Sequence, residues 1–262
     1  MEGLHYSVSV SRSERANAIA AGWDGSTLSV FETGKEQARD AWFLDSGDKV
    51  RCFAEDGAVK DGKAVVTGAA GVNKIGHNLH ELEPAFEGTC FGPGVAAVFR
   101  SLGFRRPLAV QSMYIFKNPR IGGEVNPHQD STFLWSEPER TCVGAWWALA
   151  DCSTDNGCLW AVPGSHKAGA SRRFMRTGDG TSTVFDPPTA DPLPTDGGVP
   201  IECPAGTLVL IHGAVVHWSA PNTSETARPA FSMHACEGAE GFSWPADNWL
   251  QRPEDVPFRA LF

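Results

Sequence analysis

The sequence predicts a mainly β protein with flanking helices, built from antiparallel strands in a sandwich or barrel. Five short apolar runs carry this expectation: 108–116, 143–149, 158–162, 207–212 and 230–234. They are rich in aromatic and β-branched residues, which suit a pleated, half-buried surface. Gly, Pro, Asn and Asp separate them, the residues that reverse a chain. No internal repeat is visible and no linker divides the 262 residues, so one large domain is the default.

Taken in order, residues 1–45 are weakly patterned and rich in Gly, Ser and Ala. They are expected to form an N-terminal arm of surface loop or poor order. Residues 46–262 are expected to form the single domain. Ser46-Gly47-Asp48 reads as a turn into a short strand, and residues 60–63 as another turn. Asn73 to His80 is a compact segment carrying Lys74, His77 and His80. Residues 93–103 read as a helix; Gly94 is an untypical start, whereas Gly103 is a plausible stop. From 107 onward the strand-like runs dominate. Residues 168–200, crowded with Pro, Gly, Asp and Thr, form a loop long enough to be functional or mobile.

Composition narrows the function classes. Hydrophobic content of 42% and charged content of 20% are those of a globular chain able to bury a sizeable core. Nine Trp and 15 Phe fit packing first and a deep apolar pocket second. A net charge of −9 argues against a nucleic-acid partner, which needs a basic footprint. No run of about 20 apolar residues suggests a membrane span. The N-terminus lacks the basic-then-apolar pattern of a signal peptide, and the C-terminus is no peroxisomal address. Seven scattered Cys, an odd number without C-x-x-C, read as reduced thiols of a cytoplasmic protein.

The chemistry concentrates on His128-Gln129-Asp130. On a strand, residues two apart share a face, so imidazole and carboxylate would converge from one rigid element. Such a pair suits a borderline divalent metal such as iron or zinc. His217, which ends the segment after the apolar run 207–212, is the best third ligand. Two His and one carboxylate leave open metal positions, as in non-haem Fe(II) oxygenases. H-x-D alone is a weak signal; its setting in a β-type chain strengthens it. Arg228, at the start of the last apolar run, is well placed to hold a carboxylate bidentately.

Segments 111–116, 128–134, 155–160, 163–166 and 210–217 together resemble the phytanoyl-CoA dioxygenase family, and the likeness extends from about residue 42 to 251. The resemblance implies a double-stranded β-helix (jelly-roll, cupin-like) core. It implies an Fe(II)- and 2-oxoglutarate-dependent dioxygenase that consumes dioxygen, hydroxylates a small organic or acyl substrate and releases succinate and CO2. By match of position it makes His128, Asp130 and His217 the iron ligands and Arg228 the partner of the distal carboxylate of 2-oxoglutarate. Lys74, Met113 and Trp146 match positions lining the co-substrate pocket, and Ser219 is a further hydrogen-bond donor. Related halogenases lack the carboxylate, so Asp130 implies hydroxylation. Family members begin with an extra helix and strand that help complete the outer sheet. This chain starts late by comparison, so either residues 1–40 substitute or the chain is short at this end.

The remaining candidates have plainer readings. His212, five residues before His217, would face away from it on a continuous strand and act as a hydrogen-bonded structural residue. His166 reads as turn-stabilising, and His77, His80 and His234 as polar packing. Arg172, Arg173 and Arg176 form either a solvated loop face or a patch for acyl-CoA phosphates. A monomer acting on a small molecule is expected. The alternatives are a silent jelly-roll binding protein and, last, a zinc hydrolase, in which Arg228 would have no role.

Overall fold

The apolar runs become strands that pair into two antiparallel sheets. The computed structural model describes residues 2–27, 29, 30 and 40–262. In chain order the strands are β1 (Val50–Ala54), β2 (Val59–Lys60), β3 (Lys63–Ala64), β4 (Val72–His77), β5 (Pro107–Ile115), β6 (Val125–His128) and β7 (Val143–Ala148). They continue with β8 (Leu159–Ala161), β9 (Arg173–Arg176), β10 (Thr183–Asp186), β11 (Val199–Ile201), β12 (Leu208–His212), β13 (His217–Ser219) and β14 (Ala230–Glu237). The α-helices are α1 (Glu2–Ala21), α2 (Ala41–Leu44), α3 (Leu79–Leu82), α4 (Pro84–Cys90), α5 (Pro93–Ser101) and α6 (Asp130–Phe133). The large sheet runs β1-β4-β5-β14-β7-β12 and the small sheet β11-β8-β13-β6. Consecutive strands alternate between the sheets (β5 large, β6 small, β7 large, β8 small), which is the winding of a jelly roll. The expected double-stranded β-helix core is the architecture observed.

The large sheet has two different faces because side chains alternate along each strand. Outward-facing Ile75, Tyr114, Phe231, Met233 and Trp147 share one buried cluster with Phe86, Val95 and Phe99 of the helices. The Phe86 ring lies 4.7 Å from that of Phe231. The opposite parity, carried by Lys74, Gln111, Met113, Trp146, Ser232 and His234, lines a pocket between the sheets. β14 is buried along its whole length, which explains why it reads as a continuous run.

Several local expectations change. The weak pattern of residues 1–45 predicts loop, yet 2–21 form α1 and 41–44 form α2. Ala16, Ala20 and Trp23 join the cluster behind the large sheet. α1 lacks a regular apolar stripe, so its contact is legible only in three dimensions. The helix expected over 93–103 is α5, with Pro93 at its first turn; the chain leaves it at Gly103 in a left-handed conformation, φ 87°. The turn at 60–63 is a two-residue hairpin with Asp61 and Gly62 both at positive φ, the signature of a twisted β-hairpin. The long loop 168–200 holds the β9–β10 hairpin, whose Phe174 and Phe185 pack with Phe133 and Trp249.

The basic cluster on that hairpin is tied inward. Arg173 pairs with Asp247 and Asn248. Arg176 donates to the carbonyls of Trp249 and Leu44 at 2.9 and 2.6 Å. Arg172 donates to those of Pro187 and Pro188 and lies over the Phe185 ring. The picture of a solvated face fails for Arg173 and Arg176, whose guanidiniums are bonded inward to these partners. Among the described residues no helix is long and apolar enough to cross a membrane.

A candidate metal centre between the sheets

His128 ends β6 and His217 begins β13, directly opposite each other in the ladder. Their ring centroids are 4.2 Å apart. Asp130 reaches the same point by another route than expected. The strand stops at His128, and Asp130 is the first residue of α6. Gln129 at the junction is pinned by donating to the carbonyls of Ala214 and Gly169, at 2.6 and 2.9 Å. Ser131 N donates to Gly213 O at 2.8 Å. A strand-to-helix break, not a continuous strand, therefore turns the carboxylate toward the imidazoles. Asp130 Oδ1 lies 3.6 Å from Nε2 of both His128 and His217. Among the described residues, this cluster brings three metal-ligating atoms within 4.8 Å of one another.

The protonation states suit a cation. His128 Nδ1 faces the Asn126 carbonyl at 2.8 Å and His217 Nδ1 that of Val215 at 3.1 Å. A carbonyl only accepts, so Nδ1 carries a hydrogen and each ring turns its Nε2 toward Asp130. Burial, with His217 adding to it, pushes the His128 pKa down to about 3, so this ring is neutral at pH 7. Burial works to raise the Asp130 pKa, but His217, His234 and His128 around it hold it below the ordinary carboxylate value. Two imidazoles and one carboxylate are the donor set a divalent transition ion takes.

Cross-strand register arranges the rest in rows. Ser232 of β14 faces Met113 on one side and Trp146 on the other. One pleat toward the metal cluster, His234 faces Gln111 and Gly144. One pleat the other way, Ala230 lies between Ile115 and Ala148, and Lys74 of β4 pairs with Ile115. Arg228 precedes this row and is buried to 2% exposure. Its Nε and Nη2 donate to Gly157 O at 3.1 and 2.8 Å, its guanidinium lies 5.5 Å over the Trp146 ring, and Nη1 is buried with no protein acceptor. Burial lowers the Arg228 pKa, but from so high a value that the group stays charged. All eight site residues read from the sequence line this one pocket: Lys74, Met113, His128, Asp130, Trp146, His217, Ser219 and Arg228.

Other histidines separate clearly. His212 is exposed, its Nδ1 accepts from Ala214 N, and its ring pairs with His166 at 5.0 Å, away from the pocket. His77 contacts Ser46 Oγ through Nδ1, and His80 contacts Ser112 Oγ. His234 corrects the reading as mere packing, since its Nε2 is 3.3 Å from Asp130 Oδ2. Gly144 makes that approach possible: a Cβ there would sit 3.2 Å from His234 Nε2 and 3.3 Å from Asp130 Oδ2. We expect His234→Leu to weaken divalent-metal affinity about 10- to 100-fold, the usual effect of losing a group that orients a ligand. A calorimetric titration showing wild-type affinity would refute this role.

Lys117 is the other residue that the sequence reading missed. It is 3% exposed and lines the same pocket. Its Nζ donates to Gly123 O at 2.5 Å and to Ser219 Oγ at 2.9 Å. Parity contained part of the signal: Met113 and Ile115 alternate inward along β5, and Lys117, just past its end, lines the same pocket.

Two antiparallel sheets enclosing a two-histidine, one-carboxylate cluster define a jelly-roll protein whose candidate metal centre has the ligand arrangement of non-haem iron sites. The solved non-heme monooxygenase ThoJ, in its apo form, superposes with a TM-score of 0.54 over 70% of this chain and 69% of its own, at 21% identity. The non-heme alpha-ketoglutarate-dependent epimerase SnoN gives 0.52 over 95% and 98%, at 16% identity. At these identities the likeness speaks for the fold. The chain belongs to the phytanoyl-CoA dioxygenase (PhyH) family, whose sequence profile matches residues 27–230. Phytanoyl-CoA dioxygenase domain-containing protein 1 of Mus musculus is 46% identical over 232 residues, 86% of this chain and 78% of its own. Phytanoyl-CoA dioxygenase 1 of Oryza sativa subsp. japonica is 43% identical over 256 residues, 95% and 86% respectively.

Proposed function

We propose that the protein is an Fe(II)- and 2-oxoglutarate-dependent dioxygenase that hydroxylates a small organic or acyl substrate. The observation that carries this is the pairing, in one pocket, of the His128–Asp130–His217 donor set with Arg228, a buried guanidinium holding one polar edge without a protein partner. A metal site alone fits many activities. A metal site facing a buried bidentate cation fits a ligand that chelates at one end and carries a carboxylate at the other.

His128, Asp130 and His217 would hold the iron. Bound iron supplies the redox chemistry, coupling dioxygen to decarboxylation of the 2-oxo acid and oxidation of the substrate. The chain supplies position and exclusion. Arg228 receives the far carboxylate of the 2-oxo acid, and Gly157 O fixes the guanidinium against rotation. Met113, Ile115 and Trp146 form an apolar sleeve that orients the chain of the acid and keeps water out. His234 steadies the Asp130 oxygen turned away from His128 and His217. Phe133 and Phe174, with ring centroids 5.3 Å apart, wall the pocket beside His128 and present an apolar surface to the substrate.

The test is an anaerobic titration of Fe(II) and then 2-oxoglutarate into the metal-free protein. A visible metal-to-ligand charge-transfer band, followed by succinate release on admitting air, is expected. Well-folded protein that gives no band would overturn the proposal. Band formation without succinate under any substrate would instead favour a silent binding protein.

A further inference from the structure

We propose that Lys117 is a second cationic anchor for the far carboxylate of the bound 2-oxo acid, acting through its own third N–H and through Ser219, whose hydroxyl hydrogen it directs to the ligand. The inference rests on the reading of the pocket as a 2-oxoglutarate site.

Residue 117 is held in place by its backbone, independently of its side chain. It adopts φ 45°, uncommon for a residue with a Cβ. Its carbonyl accepts from Arg228 N at 3.2 Å and from Asn222 Nδ2 at 2.9 Å. The two cations are thus fixed to each other by main chain. Gly157, whose carbonyl holds Arg228, also makes room for Lys117: a Cβ at 157 would lie 2.6 Å from Lys117 Cε.

The hydrogen-bond inventory then points at a ligand. An ammonium has three N–H groups and no lone pair. Gly123 O and Ser219 Oγ take two, and the third has no acceptor among the described residues. Because Ser219 Oγ accepts from Lys117, its own hydrogen must be given elsewhere. Ser219 is 1% exposed, so water at the protein surface is not that acceptor. Arg228 Nη1 adds a third donor of the same kind. Three donors lining one pocket, two of them joined by the Lys117–Ser219 hydrogen bond, suit the two oxygens of a carboxylate.

Electrostatics shows that the fold alone does not favour this lysine. Burial, and then Arg228, push its pKa down from 10.5 to about 7, with Glu55 and Glu124 opposing the shift. The unfolded lysine keeps its proton up to about 10.5, whereas the folded one releases it near 7. The fold therefore gains stability as pH rises through that window, and the charged form is a burden below it. A dianionic ligand reverses this: it favours the protonated amine, so binding above pH 7 should take up a proton.

The experiment compares full-length wild type with Lys117→Met and Ser219→Ala, anaerobically with Fe(II). It measures 2-oxoglutarate affinity by calorimetry in buffers of different ionisation enthalpy, together with ligand-free melting curves. Lys117→Met is expected to weaken affinity at pH 7 about 10-fold or more, as for loss of a charged hydrogen bond. It should melt at or above wild type. Wild type should bind progressively more weakly as pH rises from 7 to 8.5, with proton uptake; Lys117→Met should show neither. Ser219→Ala should lose less affinity and keep the proton uptake. Wild-type affinity in Lys117→Met overturns the inference. So does weak binding that keeps the wild-type pH dependence or comes with a markedly lower melting temperature, since that marks a structural tie. Failure of wild type itself to bind 2-oxoglutarate would refute the reading of the pocket, and the inference with it.

Discussion

Asp130→Ala is expected to remove stable metal binding and with it all succinate production above background. The substitution leaves two imidazoles and no anionic ligand, and His128, whose pKa is pushed down to about 3, brings no charge of its own. Loss of a group that merely orients a ligand costs about 10- to 100-fold in metal affinity, so loss of the anionic ligand itself should exceed about 100-fold. The fold should survive. The histidines that hold the Asp130 pKa down make the carboxylate a contributor to stability at neutral pH, so the variant should melt below wild type while remaining folded. The check is a divalent-metal titration alongside melting curves in chelator. Full succinate production by Asp130→Ala would show that the His128–Asp130–His217 cluster is not the reaction centre.

Arg228→Lys should fail at the opposite end of the pocket. Lysine keeps the charge but not the planar fork that lets Nε and Nη2 share Gly157 O while Nη1 remains for a ligand. Losing a hydrogen bond to a charged group typically costs about 1.5–3 kcal/mol, so the dissociation constant for 2-oxoglutarate should rise by about 10- to 100-fold. Metal affinity should stay at the wild-type level. The two variants thus separate the functions: Asp130→Ala loses metal, whereas Arg228→Lys keeps metal and loses the 2-oxo acid. A variant that binds 2-oxoglutarate normally would place the carboxylate elsewhere.

Strand content, the site's chemical types and the family are legible in residue order alone. Apolar runs punctuated by Gly, Pro and Asn are readable because a strand's two-residue period is local. His128, Asp130, His217 and Arg228 were readable because few residue types can bind a metal or clamp a carboxylate. Tertiary structure decided what depends on distant neighbours. α1 is invisible in sequence because Ala16, Ala20 and Trp23 make a contact face only once the helices of residues 79–101 and the large sheet are present. Asp130 meets the histidines from a helix start, since Gln129 is pinned by the carbonyls of Ala214 and Gly169, far along the chain. His234 and Lys117 are ordinary side chains until register places one against Asp130 and the other against Ser219. The physical reason is common to all four. Propensity and chemical type belong to a residue and its near neighbours, whereas burial, register and shared hydrogen bonds come into being when segments distant in the chain pack together.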